Sequence, residues 1–103
     1  MKPAYTIRQS VIAELETIWL YTFEQWGVDQ ADHYTRALID RFNWLAKNPR
    51  AGKSRDDVKP GYFSFPEGQH IVFYLLGEEG IDIIGLPHQS MDIISYIDMI
   101  SED

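Results

Sequence analysis

Cysteine is absent from this chain of 103 residues. Disulfide bonds, thiol catalysis and cysteine-based metal sites are therefore excluded. Long apolar runs are missing as well: the longest covers residues 71–76, whereas a membrane-spanning helix needs about 20 such residues. The start of the chain has one lysine but no apolar segment of the kind found in secretory signals. We therefore expect a cytoplasmic protein.

Basic residues are absent from the second part of the chain. All nine Lys and Arg lie at or before Lys59, whereas residues 60–103 contain eight acidic side chains and no basic ones. The formal net charge of −7 would repel a phosphate backbone at long range. The composition therefore argues against direct nucleic-acid binding, and it predicts that a basic partner would favour the C-terminal half.

Patterns typical of metal sites are also missing. The three histidines show no His-x-x-x-His spacing, and a metal site needs three or four converging ligands. We expect neither a metal nor another cofactor. An apolar share of 45% and an aromatic share of 14% supply enough large side chains for one core, so a single domain over residues 1–103 is predicted.

The first half of the chain has the pattern of a strand followed by two helices. Residues 4–8 alternate between apolar and polar, which favours a strand. Ser10 is a candidate N-cap for a first helix, which Gly27 should end because glycine adopts positive φ at little cost. Asp29 is the candidate N-cap of a second helix, which should end before Asn48. Helices joined by so short a link fold back as a hairpin.

The second half has the pattern of an antiparallel meander. Residues 50–60 are charged and turn-forming, and we expect an exposed basic loop there. Strands are predicted over residues 62–65, 69–76 and 81–86, with a break at residues 66–68 and a turn at residues 77–80. A short terminal helix over residues 93–100 completes an α+β fold.

Alternation along the middle strand divides its side chains between two faces. Ile71, Phe73 and Leu75 form a purely apolar set, which we expect to pack against the helices. His70 lies in the other set, with Val72 and Tyr74. We expect that set to face away from the hairpin and to be available to a site or a partner.

The ordered set of local sequences resembles ParE-type toxins of the RelE/ParE superfamily over nearly the whole chain. The segments that carry this resemblance are Ile18-Trp19-Leu20-Tyr21-Thr22, Trp26-Gly27, Gln30-Ala31, Tyr34, Leu45-Ala46, Asn48-Pro49, Gly52, Gly61-Tyr62, Phe65-Pro66, Gly68, His70-Ile71-Val72-Phe73-Tyr74 and His88-Gln89-Ser90-Met91-Asp92. The resemblance implies the RelE/ParE-like architecture and a ParD-like antitoxin that wraps the toxin. It further implies inhibition of DNA gyrase by binding rather than by catalysis.

The chain departs from the ParE-like pattern near its last strand. ParE-like chains commonly carry an arginine at the position of Gly85 and often a basic residue at that of Ser90, and Pro87 interrupts what is usually an apolar strand end. These departures leave open a family member that binds antitoxin without being toxic.

An RNA-cleaving relative of the RelE type is the enzymatic alternative. Such an enzyme needs acids and bases at the ribose and cations at the phosphate. His70, His88, Tyr62 and Tyr74 could move protons, but this half of the chain has no Lys or Arg. We therefore predict a protein that is not an enzyme.

Two sets of residues are candidates for contact with a partner or target. The first combines polar tips with a flexible methionine, and its members are Tyr62, His70, Tyr74, His88, Gln89, Ser90 and Met91. Ser90 is also a candidate helix cap, and the histidines could have a structural role only. The second set is the basic loop, which would contact an acidic antitoxin or gyrase-bound DNA: Arg50, Lys53, Arg55 and Lys59.

The tryptophans allow two interpretations. Trp19, Trp26 and Trp44 occur on or near the ends of the helical stripes, which is typical of core or hairpin packing. Alternatively, exposed tryptophans serve as anchors at interfaces. The sequence does not decide between these two roles.

Overall fold

The computed structural model describes residues 4–100 of the chain. Within this part, three helices and five strands follow one another in the order β1 (Ala4–Ile7), α1 (Gln9–Trp26), α2 (Val28–Lys47), β2 (Lys53–Ser54), β3 (Tyr62–Glu67), β4 (His70–Leu76), β5 (Gly80–Gly85) and α3 (Ile93–Ile100). The predicted strand, helical hairpin, meander and terminal helix are all present.

All five strands of this part of the chain form one sheet in the order β1-β5-β4-β3-β2. Strands β2 to β5 pair antiparallel, whereas β1 pairs parallel to β5. The chain between β1 and β5 passes through the helical hairpin and then through β2, β3 and β4, and a parallel pair requires a long connection of this kind. The sequence pattern predicted the meander but not this pairing.

The hairpin is tighter than the sequence indicated. Gly27, with φ at +94°, ends α1 and begins α2, so one residue separates the helices. Arg8, not Ser10, is the residue before α1, and Asp29 lies in the first turn of α2 rather than at its cap. Both expected caps are wrong, since neither helix has a side-chain N-cap. None of the helices of residues 4–100 is long and apolar enough to cross a membrane.

The sheet has a helical layer on each face, and the sequence analysis assigned the faces of β4 the wrong way round. Val72 and Tyr74 pack in the core beneath α1 and α2. Phe73 packs with Ile97 of α3 on the opposite face, and Ile71 lies beside them. Because α3 covers the second face, both faces are apolar. Alternation alone cannot tell which of two apolar faces meets the hairpin.

The segment between α2 and β4 is more regular than expected. Lys53 and Ser54 form the short edge strand β2, which pairs with β3. Strand β3 continues through Pro66, which pairs in register with Ile71, so the predicted strand break there is wrong. Strand β2 pairs with Phe63 and Ser64 of β3, and this pairing does not extend to Pro66. Pro66 therefore lies where β3 is the sheet edge, and its missing N–H costs no ladder hydrogen bond.

Candidate functional site

A groove of about 840 Å³ lies beside the helical hairpin. One wall is a face of α1 from Ala13 to Trp26, and the opposite side is built from the start of α2, the β3–β4 turn and the segment after β5. The groove is lined by Ala13, Glu14, Thr17, Ile18, Tyr21, Thr22, Trp26, Gln30, Tyr34, Gln69, His70, Leu86, His88, Ser90 and Met91. These residues come from distant parts of the chain, so only the fold brings them together.

Two histidines form the polar centre of the groove. The backbones of His70 and His88 are joined by an antiparallel bridge, and their ring centroids are 5.3 Å apart. The hydroxyl of Tyr34 accepts a hydrogen bond from the backbone N–H of Gln69 at 2.8 Å and lies 2.7 Å from Nδ1 of His70. Its own proton is therefore available to His70, which implies that Nδ1 of His70 accepts and that Nε2 carries the ring proton.

The second histidine is oriented by Ser90. The backbone N–H of Ser90 donates to Nδ1 of His88 at 3.1 Å, and the Ser90 hydroxyl lies 2.8 Å from the same nitrogen. Nδ1 of His88 is thus an acceptor, and its proton belongs on Nε2. Burial, and secondarily the nearby His88 ring, lowers the pKa of His70 to about 4. His70 is therefore neutral at physiological pH.

The segment after β5 continues to pair with the sheet beyond Pro87. The carbonyl oxygen of Pro87 accepts from the N–H of Ile71 at 3.0 Å. Gln89 donates from its backbone to the carbonyl of Gln69 at 2.8 Å and from its side-chain amide to Oε1 of the same residue at 2.7 Å. These bonds hold the segment against the β3–β4 turn, so this side of the groove is anchored to the sheet.

Glu14, on the α1 wall of the groove, is held in place by Tyr96 of α3. Its carboxylate oxygens lie 2.8 and 2.7 Å from the hydroxyl of Tyr96, which donates to them and accepts from the N–H of Leu86 at 3.1 Å. Burial raises the pKa of Glu14, and the hydrogen bonds from Tyr96 and Leu86 oppose that shift. Burial, followed by the bond to Glu14, raises the pKa of Tyr96. This network ties α1 to α3 across the end of β5.

The structure brings together four of the seven predicted contact residues. His70, His88, Ser90 and Met91 line the groove, and Gln89 is exposed next to them. Tyr62 and Tyr74 are buried on opposite faces of the sheet.

The residue that caps α3 is not Ser90, as predicted, but Asp92. Oδ1 of Asp92 accepts from the N–H of Ile94 at 3.1 Å and from that of Ser95 at 3.4 Å. Asp92 therefore caps α3, while Ser90 is engaged with His88.

The basic loop does not converge on the groove. Arg55 is partly buried: its guanidinium pairs with Asp57 at 3.1 Å and lies over the ring of Phe73. Arg50 and Lys53 are exposed, and Lys59 is partly buried. The loop therefore presents two freely exposed cations rather than four, beside exposed acidic side chains at positions 56 and 57.

The tryptophans differ in their surroundings. Trp26 is 69% exposed and lines the groove. Trp19 stacks on Phe23 and donates to Asp32 at 2.9 Å, which fastens α1 to α2. Trp44 lies against the guanidinium of Arg41.

The sequence analysis missed Glu14 and Tyr21 as groove residues. Tyr21 is an exposed aromatic residue on α1, outside the apolar stripe of the helix. In a sequence, large apolar residues that lie outside the periodic apolar stripe of a helix indicate a second contact surface.

Few charged side chains line the groove. Among residues 4–100, no Lys or Arg lines the groove, and Glu14 is the one carboxylate that does. Within residues 4–100, no three His, Cys, Asp or Glu side chains are grouped so that they could hold a metal ion. The groove is therefore an apolar channel with a polar centre and a single acidic group on its wall.

Comparison with known proteins yields a consistent set of matches. The family model for the ParE toxin of the type II toxin-antitoxin system parDE matches residues 5–93. The chain is 40% identical over 94 residues to Toxin ParE1 of Mycobacterium tuberculosis (strain H37Rv), covering 90% of this chain and 96% of that relative. It is 35% identical over 97 residues to Toxin ParE1 of Caulobacter vibrioides (strain CB 15), covering 94% and 99%.

A solved structure shares the fold. The match, described as the chromosomal ParDE TA system from P. aeruginosa, has a TM-score of 0.72 at 13% sequence identity and covers 84% of this chain and 96% of that one. At that identity the likeness concerns the architecture alone. It confirms the architecture expected from the sequence.

Proposed function

The chain belongs to the ParE toxin family of type II toxin-antitoxin systems, and on that premise we propose that it is a toxin neutralised by a ParD-like antitoxin helix lying in the groove. The observation that carries this proposal is the groove itself. It is apolar, open to solvent, and walled along its length by one face of a helix. Such a channel suits the apolar face of an amphipathic helix.

The dimensions of the groove support a helical occupant. The lining residues of α1 extend from Ala13 to Trp26, which corresponds to roughly 20 Å at the rise of an α-helix. Three to four turns of a partner helix would fit along this wall. Trp26, Tyr21 and Met91 are exposed at its sides, and aromatic and methionine side chains are enriched at interfaces.

We propose that the target is DNA gyrase in the cytoplasm and that inhibition is by binding, without catalysis. No Lys or Arg lines the groove in the part of the chain that the structure describes, which supports the second part, because phosphate chemistry needs cations where negative charge develops. The exposed Arg50 and Lys53 of the basic loop are the proposed secondary contacts with an acidic partner.

The proposal is tested by expression with and without the antitoxin expected beside its gene. Expression of the chain alone should arrest growth, and co-expression of the antitoxin should restore it. The purified chain should inhibit supercoiling by gyrase, and the purified complex should not. Growth arrest with unaffected supercoiling would refute the gyrase target. Failure of the two proteins to associate would refute the antitoxin assignment.

The imidazole pair supports a second candidate function, cleavage of mRNA. His70, His88 and the Tyr34 hydroxyl could transfer protons in the groove. Incubation of the purified chain with ribosome-bound message distinguishes the two functions. We expect intact message; specific cleavage that His88→Ala abolishes would establish the enzymatic function instead.

A further inference from the structure

Within residues 4–100, no Lys, Arg or His forms an ion pair with Glu14, the carboxylate that lines the groove. Ion pairs within residues 4–100 join Arg8 to Asp82, Arg41 to Glu67 and Arg55 to Asp57. Glu14 instead accepts from a neutral group, the Tyr96 hydroxyl, which in turn accepts from the backbone N–H of Leu86. A partly buried carboxylate held only by neutral donors is one that a partner cation would stabilise.

The network around Glu14 fixes the carboxylate in place. The Tyr96 hydroxyl lies within 2.8 Å of both carboxylate oxygens, and Tyr96 is itself buried on the face of α3 that packs against the sheet. A fixed carboxylate loses little side-chain entropy when a cation binds. In the unbound chain, Glu14 is therefore already positioned to pair with a cationic side chain of a partner.

The position of Glu14 makes the two ends of the groove chemically different. Glu14 lies near one end of the groove wall, whereas the exposed Trp26 lies at the other, twelve residues further along α1. At the helical rise this is roughly 18 Å. A helix lying along α1 would meet an acidic group at one end and an aromatic one at the other.

We infer that the antitoxin helix places one Arg or Lys against Glu14 and a large apolar residue against Trp26, the two lying about 11 positions apart on one helical face. This inference rests on the proposed function, since it specifies the residue that a neutralising helix must carry. The charge pair sets the direction and register in which the helix lies in the groove. A helix lacking the cation would leave a desolvated carboxylate unpaired, so the pair also discriminates between antitoxins.

The test compares two isosteric variants on the same helix. Glu14→Gln removes the groove carboxylate but keeps an oxygen that can accept from Tyr96. Glu16→Gln removes an exposed carboxylate outside the groove and causes the same change in net charge. The dissociation constant of the antitoxin should rise about tenfold or more for Glu14→Gln and less than about twofold for Glu16→Gln. Thermal unfolding of each free variant verifies that its fold is intact.

A double-mutant cycle identifies the cation. Each Arg and Lys of the antitoxin helix is changed to Met in turn and measured against the wild-type chain, Glu14→Gln and Glu16→Gln. One of these changes should couple to Glu14→Gln by about fivefold or more, and none should couple to Glu16→Gln. The coupled residue should lie about 11 positions from a large apolar residue whose change to Ala couples to Trp26→Ala.

The outcomes separate this inference from the proposed function. If the wild-type chain does not bind the antitoxin, the proposed function fails. If it binds and Glu14→Gln binds equally well or more tightly, the proposed function stands and the charge pairing is wrong. If Glu14→Gln weakens binding but no cation of the antitoxin couples to it, the carboxylate acts only within the toxin, and the inference is overturned.

Discussion

The hydroxyl of Tyr74 donates a hydrogen bond to the carbonyl oxygen of Pro49 across 2.8 Å. The same hydroxyl accepts from the N–H of Gly52 at 3.0 Å. Tyr74 is fully buried in the core on β4, so these two bonds connect the centre of the sheet to the loop that follows α2. A predicted contact residue is thus a structural anchor for the loop that leads into β2.

Tyr74→Phe should therefore destabilise the fold without weakening antitoxin binding. The change leaves the Pro49 carbonyl and the Gly52 N–H without their partner, at a cost of about 1 to 3 kcal/mol in the free energy of unfolding. Urea denaturation measures this loss. Phe63→Leu, at the ring that stacks on Tyr74, keeps both bonds and is the packing control. An unchanged unfolding free energy for Tyr74→Phe would mean that water replaces the hydroxyl.

The close approach of Tyr96 to Gly85 leads to a second prediction. A Cβ built on Gly85 would lie 2.7 Å from the Tyr96 hydroxyl and 3.2 Å from Cδ1 of Ile100. Gly85→Ala should therefore lower the unfolding free energy by about 1 to 3 kcal/mol. The loss should be smaller in a Tyr96→Phe background, because that change removes the nearest atom. Equal losses in both backgrounds would contradict this explanation.

The same contact bears on the residue that ParE-like chains commonly carry at this position. An arginine at Gly85 has no room while α3 is docked on the sheet. Gly85→Arg should therefore lower stability sharply rather than simply add a charge to the surface. Circular dichroism during thermal unfolding would show this. A variant as stable as the wild type would mean that α3 moves aside.

The pH dependence of stability should reveal the buried imidazole in the groove. The pKa of His70 is lowered from 6.5 to about 4 in the folded chain, so below pH 6.5 the unfolded state binds a proton that the folded state does not. The stability contributed by neutral His70 is complete above that pH. It should fall toward about pH 4, with a slope of at most about 1.4 kcal/mol per pH unit.

Urea titrations between these two pH values measure the effect of His70. His70→Gln, which removes the titrating imidazole, should flatten the profile. The control is His33→Gln, which removes an exposed imidazole from α2 and should keep the wild-type profile. A steep profile in His70→Gln would assign the pH dependence to other groups.

Two methionines provide a matched test of the groove. Met91 is 51% exposed and lines the groove, whereas Met99 is 63% exposed on α3 and does not. Met91→Glu should weaken antitoxin binding by about tenfold or more, because it places a charge in an apolar interface. Met99→Glu should bind as the wild type does. Isothermal titration calorimetry measures both, and equal affinities would move the antitoxin to another surface.

The extent of the regular elements could be read from the sequence with small errors. The helical stripes and Gly27 predicted two helices and a tight link, and the turn residues 77–80 predicted the last hairpin of the sheet. The Asp29 cap was wrong because a glycine with positive φ can end one helix and begin the next without any capping side chain. The Ser10 cap was wrong because α1 begins at Gln9, directly after Arg8. Pro66 was misread because a proline is compatible with a sheet edge.

The sequence by itself determined the family, the absence of cysteine and the distribution of charge, because these depend on residue identity and order alone. Tertiary structure decided which face of β4 meets the hairpin, since that depends on where α3 docks. It also decided that Glu14 on α1, His70 on β4 and Met91 after β5 share one groove. Residues so far apart in the chain come together only when the core packs, and no local sequence pattern indicates that they are neighbours.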